Sequence, residues 1–131
     1  MSTSTSVVTG VDFVSIPATN MQESMAFYEN VLGLEPGSQW KRGEEEPMGA
    51  EYETGTVTLA LMDCARFNIE FTPMCVPIAL QVDDVPAARS ELESRGVKFV
   101  TDIIDSGVCH QAYFTDPAGN SIGIHHRYKP R

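Results

Sequence analysis

The chain has 131 residues, 42% of them hydrophobic, and a formal net charge of −9. That is enough chain for one core or for two half-domains sharing one. No apolar run approaches a membrane span, so no membrane partner is expected; a field of this sign repels a phosphate backbone, which removes nucleic acid as a partner and admits a cationic ligand.

Met1 to Thr9 is polar and rich in Ser and Thr, without the basic start or apolar stretch of a signal peptide, and residues 1–10 read as a disordered tail. Three cysteines, Cys64, Cys75 and Cys109, are too few for a disulfide framework and form no CxxC or Cys/His cluster. They read as packing thiols in a reducing, cytoplasmic compartment.

A first unit is expected over residues 11–70. It opens with a short β run around Phe13, after which Asn20 is placed to cap a helix, with Glu23 at capping-box spacing. Met21, Met25, Phe27, Val31 and Leu32 form an apolar stripe at helical spacing, and Gly33 suits the left-handed position after the helix. Trp40, the only tryptophan, falls on a long loop that continues through the solvated acidic run Glu44-Glu45-Glu46. Strands are predicted near Glu51 to Thr54 and Thr56 to Met62.

Residues 71–76 read as a linker, and a second unit over residues 77–131 repeats the pattern. A β run starts at Pro77; Asp84 starts a helix that turns Ala88 and Leu92 inward and stops at Gly96. Strands are predicted over Lys98 to Thr101, Ala112 to Thr115 and Ser121 to His126. Asp116-Pro117-Ala118-Gly119-Asn120 has the chemistry of a hairpin turn, since Pro presets φ and Gly and Asn accept positive φ. Matched positions in the two halves are 64 residues apart at the first strands (Phe13 and Pro77) and 63 apart at the last (Ala60 and Gly123), so the repeat is structural.

The segments VDFVSIPATNMQESMAFYENVLGL, IALQVDDVPAARSELESRGV and FTDPAGNSIGIHHRY, which span nearly the whole chain, resemble the vicinal oxygen chelate superfamily of glyoxalases, extradiol dioxygenases and bleomycin resistance proteins. The resemblance implies an α+β fold of two βαβββ modules whose curved mixed sheets enclose a cavity, and a homodimer with pockets at or near the subunit boundary. In the enzymes a divalent metal sits in that cavity, held from the first and last strands of each module. The four matching positions here are Phe13, Ala60, Pro77 and Gly123, and none can donate an electron pair, so no metal or other cofactor is expected. Ala60 and Gly123 are expected to enlarge the cavity, and Phe13 to give it a stackable wall.

Strand alternation extends the expected ligand-binding set to Phe13, Ser15, Thr58, Ala60 and Met62 in the first unit and to Gln81, Ser121, Gly123 and His125 in the second, with Ala79 between Pro77 and Gln81. Trp40 joins as a loop aromatic over the cavity, against the alternative that it packs on its own loop. His110 joins as a polar candidate, whereas His126 has the wrong parity. Glu70 reads as linker surface or pocket wall. A relocated metal site from His110, His125 and Glu51 or Glu53 is the less favoured alternative. The expected function is metal-free sequestration of a largely apolar or aromatic small molecule, such as an antibiotic. The alternative is an enzyme of the superfamily's lyase, dioxygenase or isomerase type, with displaced ligands or with histidine acid–base chemistry.

Overall fold

The computed structural model describes residues 6–43 and 45–131. The expected tail over residues 1–5 and Glu44 of the acidic run lie outside the described residues. Each half is a βαβββ unit. The first comprises β1 (Phe13–Ala18), α1 (Met21–Ala26) with a π-helical continuation over Phe27–Val31, β2 (Glu35–Trp40), β3 (Gly49–Glu53) and β4 (Thr58–Asp63). The second comprises β5 (Ile78–Gln81), α2 (Val85–Ser94), β6 (Ile104–Asp105), β7 (Cys109–Thr115) and β8 (Ser121–Arg127). The sheet orders are β1-β4-β3-β2 and β5-β8-β7-β6. In each, the first strand runs parallel to the last and the other pairs are antiparallel.

Both helices start at the residues the sequence marks. The Asn20 side chain accepts from the Glu23 N–H at 3.1 Å, and Asp84 accepts from the Ala87 N–H at 2.9 Å, each satisfying an otherwise orphaned helix donor. Gly33 and Gly96 follow their helices at φ of 71° and 94°, where a side chain would be strained.

Two predicted elements differ. Trp40 lies on β2 and not on a loop. This edge strand, EPGSQW, is exposed along its length and irregular between Pro36 and Gln39, so it has neither the composition nor the alternation that announces a strand. Lys98 to Thr101 is β-prone but forms no strand. Phe99 turns inward, edge-on to Phe114 at 5.2 Å with the Arg89 guanidinium 4.7 Å from its ring centre. Beside it a single rung, Val100 N–H to Tyr113 O at 2.8 Å, is followed by the Thr101 hydroxyl in place of the next carbonyl. The strand beside β7 is instead the two-residue β6.

Each sheet buries one face. Ile16, Ala18, Ala50, Tyr52, Leu59 and Leu61 pack under α1; Ala112, Phe114, Ile122 and Ile124 pack under α2 with Val85 and Leu92. Phe27, Leu32, Met74, Ile78 and Leu80 touch both cores and join them. The modules therefore meet through their helix-covered sides. The sheets do not close on one another within one chain, so the expected enclosed cavity is not formed by a single copy.

A buried polar cluster locks this junction. The Tyr28 hydroxyl, from the first helix, donates to Asp116 Oδ2 at 2.7 Å. Asn120 Nδ2 donates to the same carboxylate at 2.9 Å and to the Pro17 carbonyl on β1 at 2.8 Å. Asn120 Oδ1 accepts from the Met74 N–H of the connecting segment at 2.8 Å. Burial, then the charge of Asp116 and the hydrogen bond to it, push the Tyr28 phenol well above the ordinary tyrosine value, so it remains a donor. Removing one partner from a buried carboxylate leaves the other unsatisfied, and Tyr28→Phe is expected to cost about 1–3 kcal/mol in urea unfolding, more than an exposed Tyr128→Phe change.

Candidate functional site: two open sheet faces

Strand register decides which side chains leave the core. In the first sheet, Phe13 pairs with Thr58, Ser15 with Ala60 and Pro17 with Met62, while Val14 and Ile16 pair with the core residues Leu59 and Leu61. Beyond β4, Glu51 pairs with Ala60, Glu53 with Thr58 and Gly49 with Met62. Phe13, Ser15, Thr58, Ala60 and Met62 therefore share the face opposite α1, with Glu51 and Glu53 beside them. Phe13, the first residue of β1, is 46% exposed there, which marks an unfilled apolar surface.

The second sheet repeats the geometry. Ala79 pairs with Gly123 and Gln81 with His125 on one side of β8; Tyr113 pairs with Gly123, Gln111 with His125 and Cys109 with Arg127 on the other. Gln81, Ser121, Gly123 and His125 thus share the face opposite α2, and Pro77 stands one residue before β5. The matched rungs are Ser15–Ala60 and Ala79–Gly123, the spacing that the sequence repeat predicts.

Glycines on both faces lie beneath aromatic rings. A Cβ at Gly49 would sit 2.0 Å from Trp40 Cε3 and 2.6 Å from Cζ3; one at Gly123 would sit 2.5 Å from Tyr113 Cδ1 and Cε1. The indole and the phenol ring cross the neighbouring strand at the points where the side chain is missing. The expected free volume at Gly123 is therefore covered by Tyr113, whose hydroxyl bonds Gln111 on the same face. At Ala60, the matching position, the partner across β3 is Glu51 instead.

His110 does not join this set. It pairs with His126 on the helix-side face, one residue out of phase with His125. Its Nε2 lies 3.4 Å from Asp105, and its ring centre is 4.9 Å from that of Tyr128. Tyr128 donates to Asp105 at 2.7 Å; that bond, then the Gly107 N–H, holds the Asp105 carboxyl below its ordinary value. His126 Nδ1 lies 3.1 Å from the Val82 carbonyl, away from the open face. Glu70 is exposed in the connection between β4 and β5.

A divalent metal does not fit the four slots, since Phe13, Ala60, Pro77 and Gly123 present no donor atoms. The relocated trio fails as well. His110 and His125 leave opposite faces of the second sheet, Glu51 and Glu53 belong to the first, and Glu53 is bonded to the Thr58 hydroxyl at 2.9–3.0 Å. Among the described residues no group of three or more His, Cys, Asp or Glu could hold an ion.

Two hollows border the faces. One, of about 480 Å³, runs between the Thr54–Val57 turn and β5, against Val14, Leu34 and Ile78. The other, of about 500 Å³, is lined by Ala79, Gln81, His125, Arg127 and Arg131 on the second open face. Sequence reasoning missed Tyr113, Gln111 and Arg127. Alternation carried forward from His125 along β8 would have found Arg127, and the hairpin register across to β7 would have found Gln111 and Tyr113.

Residues 10–124 match the Glyoxalase/Bleomycin resistance protein/Dioxygenase superfamily. The chain belongs to that superfamily. Solved structures of similar fold include TnmS3, an antibiotic binding protein from Streptomyces sp. CB03234, at 22% identity and a TM-score of 0.77, covering 94% of this chain and 99% of that one. A glyoxalase/bleomycin resistance protein/dioxygenase from Nocardioides matches at 20% identity and a TM-score of 0.76, with 97% and 89% covered. Lactoylglutathione lyase from Agrobacterium tumefaciens matches at 18% identity and a TM-score of 0.71, with 91% and 94% covered. No curated protein matches the chain. The superfamily thus fixes the fold, while binding proteins and lyases both occur among the neighbours. Among the described residues, no helix is long and apolar enough to cross a membrane.

Trp40 is the only tryptophan, so its emission reports the first open face directly. Gly49→Val is expected to push the indole off the sheet and shift its fluorescence to the red, with β3 also crowding the Leu61 carbonyl; an unchanged spectrum would mean that the ring does not rest on Gly49.

Proposed function

We propose that the protein binds and sequesters a largely apolar or aromatic small molecule, such as an antibiotic or related natural product, without a metal. One observation carries this reading: the rungs where the superfamily's enzymes hold a metal carry Phe, Ala, Pro and Gly, and aromatic side chains surround them. Phe13, Trp40 and Met62 on the first face and Tyr113 on the second offer stacking and apolar contact above the buried Ala60 and Gly123. Ser15, Thr58, Gln81, Ser121 and His125 supply the few polar anchors such a site uses. The fold likeness to an antibiotic binding protein is in keeping with this reading.

Each open face is half of a cleft. In the proposed homodimer, the first-module face of one copy stands against the second-module face of its partner, which gives two equivalent sites. Light scattering on the purified protein should give twice the chain mass; a monomer would remove this arrangement.

A thermal-shift panel of aromatic natural products identifies a ligand, and titration then tests the site. Phe13→Ala and Trp40→Ala should each weaken binding by about 1–3 kcal/mol through lost apolar contact. Gly123→Glu and Ala60→Glu should abolish it, since each places a carboxylate at a buried rung of the face, and at Gly123 the new side chain also forces Tyr113 off the sheet. EDTA should alter neither melting temperature nor affinity. Undiminished binding by Gly123→Glu would show that the second face is not the site.

The enzymatic alternative rests on His125, which stands on the open face between Gln81 and Gln111. Mass spectrometry of the recovered ligand separates the readings: unchanged ligand supports sequestration, whereas conversion that His125→Gln stops supports acid–base catalysis.

A further inference from the structure

We infer that the far end of the second open face is an anion site, at which Arg127, flanked by His125 and Gln81, binds an acidic group on the aromatic ligand. The chemistry is that of a carboxylate, a sulfonate or an ionised phenol. This inference rests on the small-molecule reading of the cleft and specifies the class of molecule the cleft accepts.

Arg127 carries an unsatisfied guanidinium. Arg66, Arg89 and Arg95 each lie within ion-pair distance of a glutamate, at 2.6, 3.6 and 2.9 Å. Arg127 has no carboxylate at such a distance among the described residues. One terminal nitrogen reaches only the Pro130 carbonyl, at 3.3 Å, and Nε is buried with no acceptor. The guanidinium is thus left without a counter-charge, and an incoming oxyanion at its terminal nitrogens supplies one.

The surroundings are selective for negative charge. The hollow of about 500 Å³ in front of Arg127 is lined by Ala79, Gln81, His125 and Arg131, with no acidic residue among them. Cys109 and Gln111 flank it from β7. A planar guanidinium can grip two oxygens of one acid, and the amide of Gln81 and the ring of His125 can take the others. Along β8 the four steps from Gly123 to Arg127 span about 13 Å, so an aromatic frame lying on Tyr113 carries an acidic substituent to Arg127. The protein's acidic balance at first suggests a cationic ligand, but the acidic side chains of the site, Glu51 and Glu53, belong to the other sheet. Glu53 already has the Thr58 hydroxyl as a partner, and the hollow has the volume of a ligand group rather than of a single side chain.

The test uses two fluorescent probes with one aromatic frame: anilinonaphthalene sulfonate, an anion, and phenyl-naphthylamine, its neutral parent. Both are titrated at fixed ionic strength into the intact protein, Arg127→Gln, Arg127→Lys and Phe13→Ala, each checked for folding by circular dichroism. The parent protein should bind the sulfonate about tenfold or more tightly than the neutral probe. Arg127→Gln should erase that preference and leave the neutral probe within about twofold, Arg127→Lys should keep part of it, and Phe13→Ala should weaken both probes. If Arg127→Gln binds both probes as the parent does, the anion site is wrong and the cleft stands. If Arg127→Gln instead dissociates a dimer without changing the preference, Arg127 serves a partner's carboxylate and the assignment is overturned. If neither probe binds the parent protein, the small-molecule reading fails and the anion site fails with it.

Discussion

The placement of both open faces depends on the buried carboxylate of Asp116. It lies in the turn between β7 and β8, yet its partners come from the whole chain: Tyr28 from the first helix, and Asn120, which in turn holds the Pro17 carbonyl of β1 and the Met74 N–H of the connecting segment. The Ser121 N–H to Met74 carbonyl bond, at 2.8 Å, continues the seam into β8. A hydrophobic junction alone could slide, because apolar contact is not directional. These bonds are directional and buried, so they fix one orientation, with the helix sides together and the two sheet faces outward. A turn that reads as simple hairpin chemistry is also the bolt between the modules.

That orientation has a chemical consequence. Duplication gives two faces with one geometry, in which Ser15–Ala60 and Ala79–Gly123 are the same rung, and sequence divergence then gives each its own character. Opposite Ala60 stands Glu51; opposite Gly123 stands Tyr113. One face has become acidic with an indole at its rim, the other basic with a phenol over its floor. Two identical faces could pair like with like. In the proposed homodimer each face meets the unlike one, which for two copies of one chain is a closed twofold arrangement.

Much of this was legible in the sequence because it rests on local rules. The caps at Asn20 and Asp84, the glycines after both helices, the repeat and the alternation of β1, β4 and β8 are each set by a few neighbouring residues. What was not legible depends on partners distant in the chain. β2 has no apolar pattern because an edge strand needs none, so Trp40 looked like a loop residue. Lys98 to Thr101 has strand composition, but Phe99 is drawn into the α2 core. The face of His110 could not be settled until the register of β7 against β8 was known, and that register puts it beside Asp105 and Tyr128, off the open face. The same missing register hid Tyr113 and Gln111, and Arg127 was missed because β8 runs one residue beyond the expected strand end.

The loss of metal ligands also reads differently once the rings are placed. Replacing a chelating Glu by Gly normally leaves a void, and a void in a packed protein is filled or costs stability. Here Tyr113 crosses the gap at Gly123, and Trp40 crosses the comparable gap at Gly49. Neither ring is deeply buried: Trp40 is 37% exposed, and Tyr113 is only partly covered. An aromatic ring that merely repaired a sheet would do best fully buried. Rings that repair the sheet with one side and present the other to solvent keep an apolar surface available, and such a surface favours a partner that brings its own rings. In the proposed cleft these rings form the stacking surface, with Arg127 at one end of the second face.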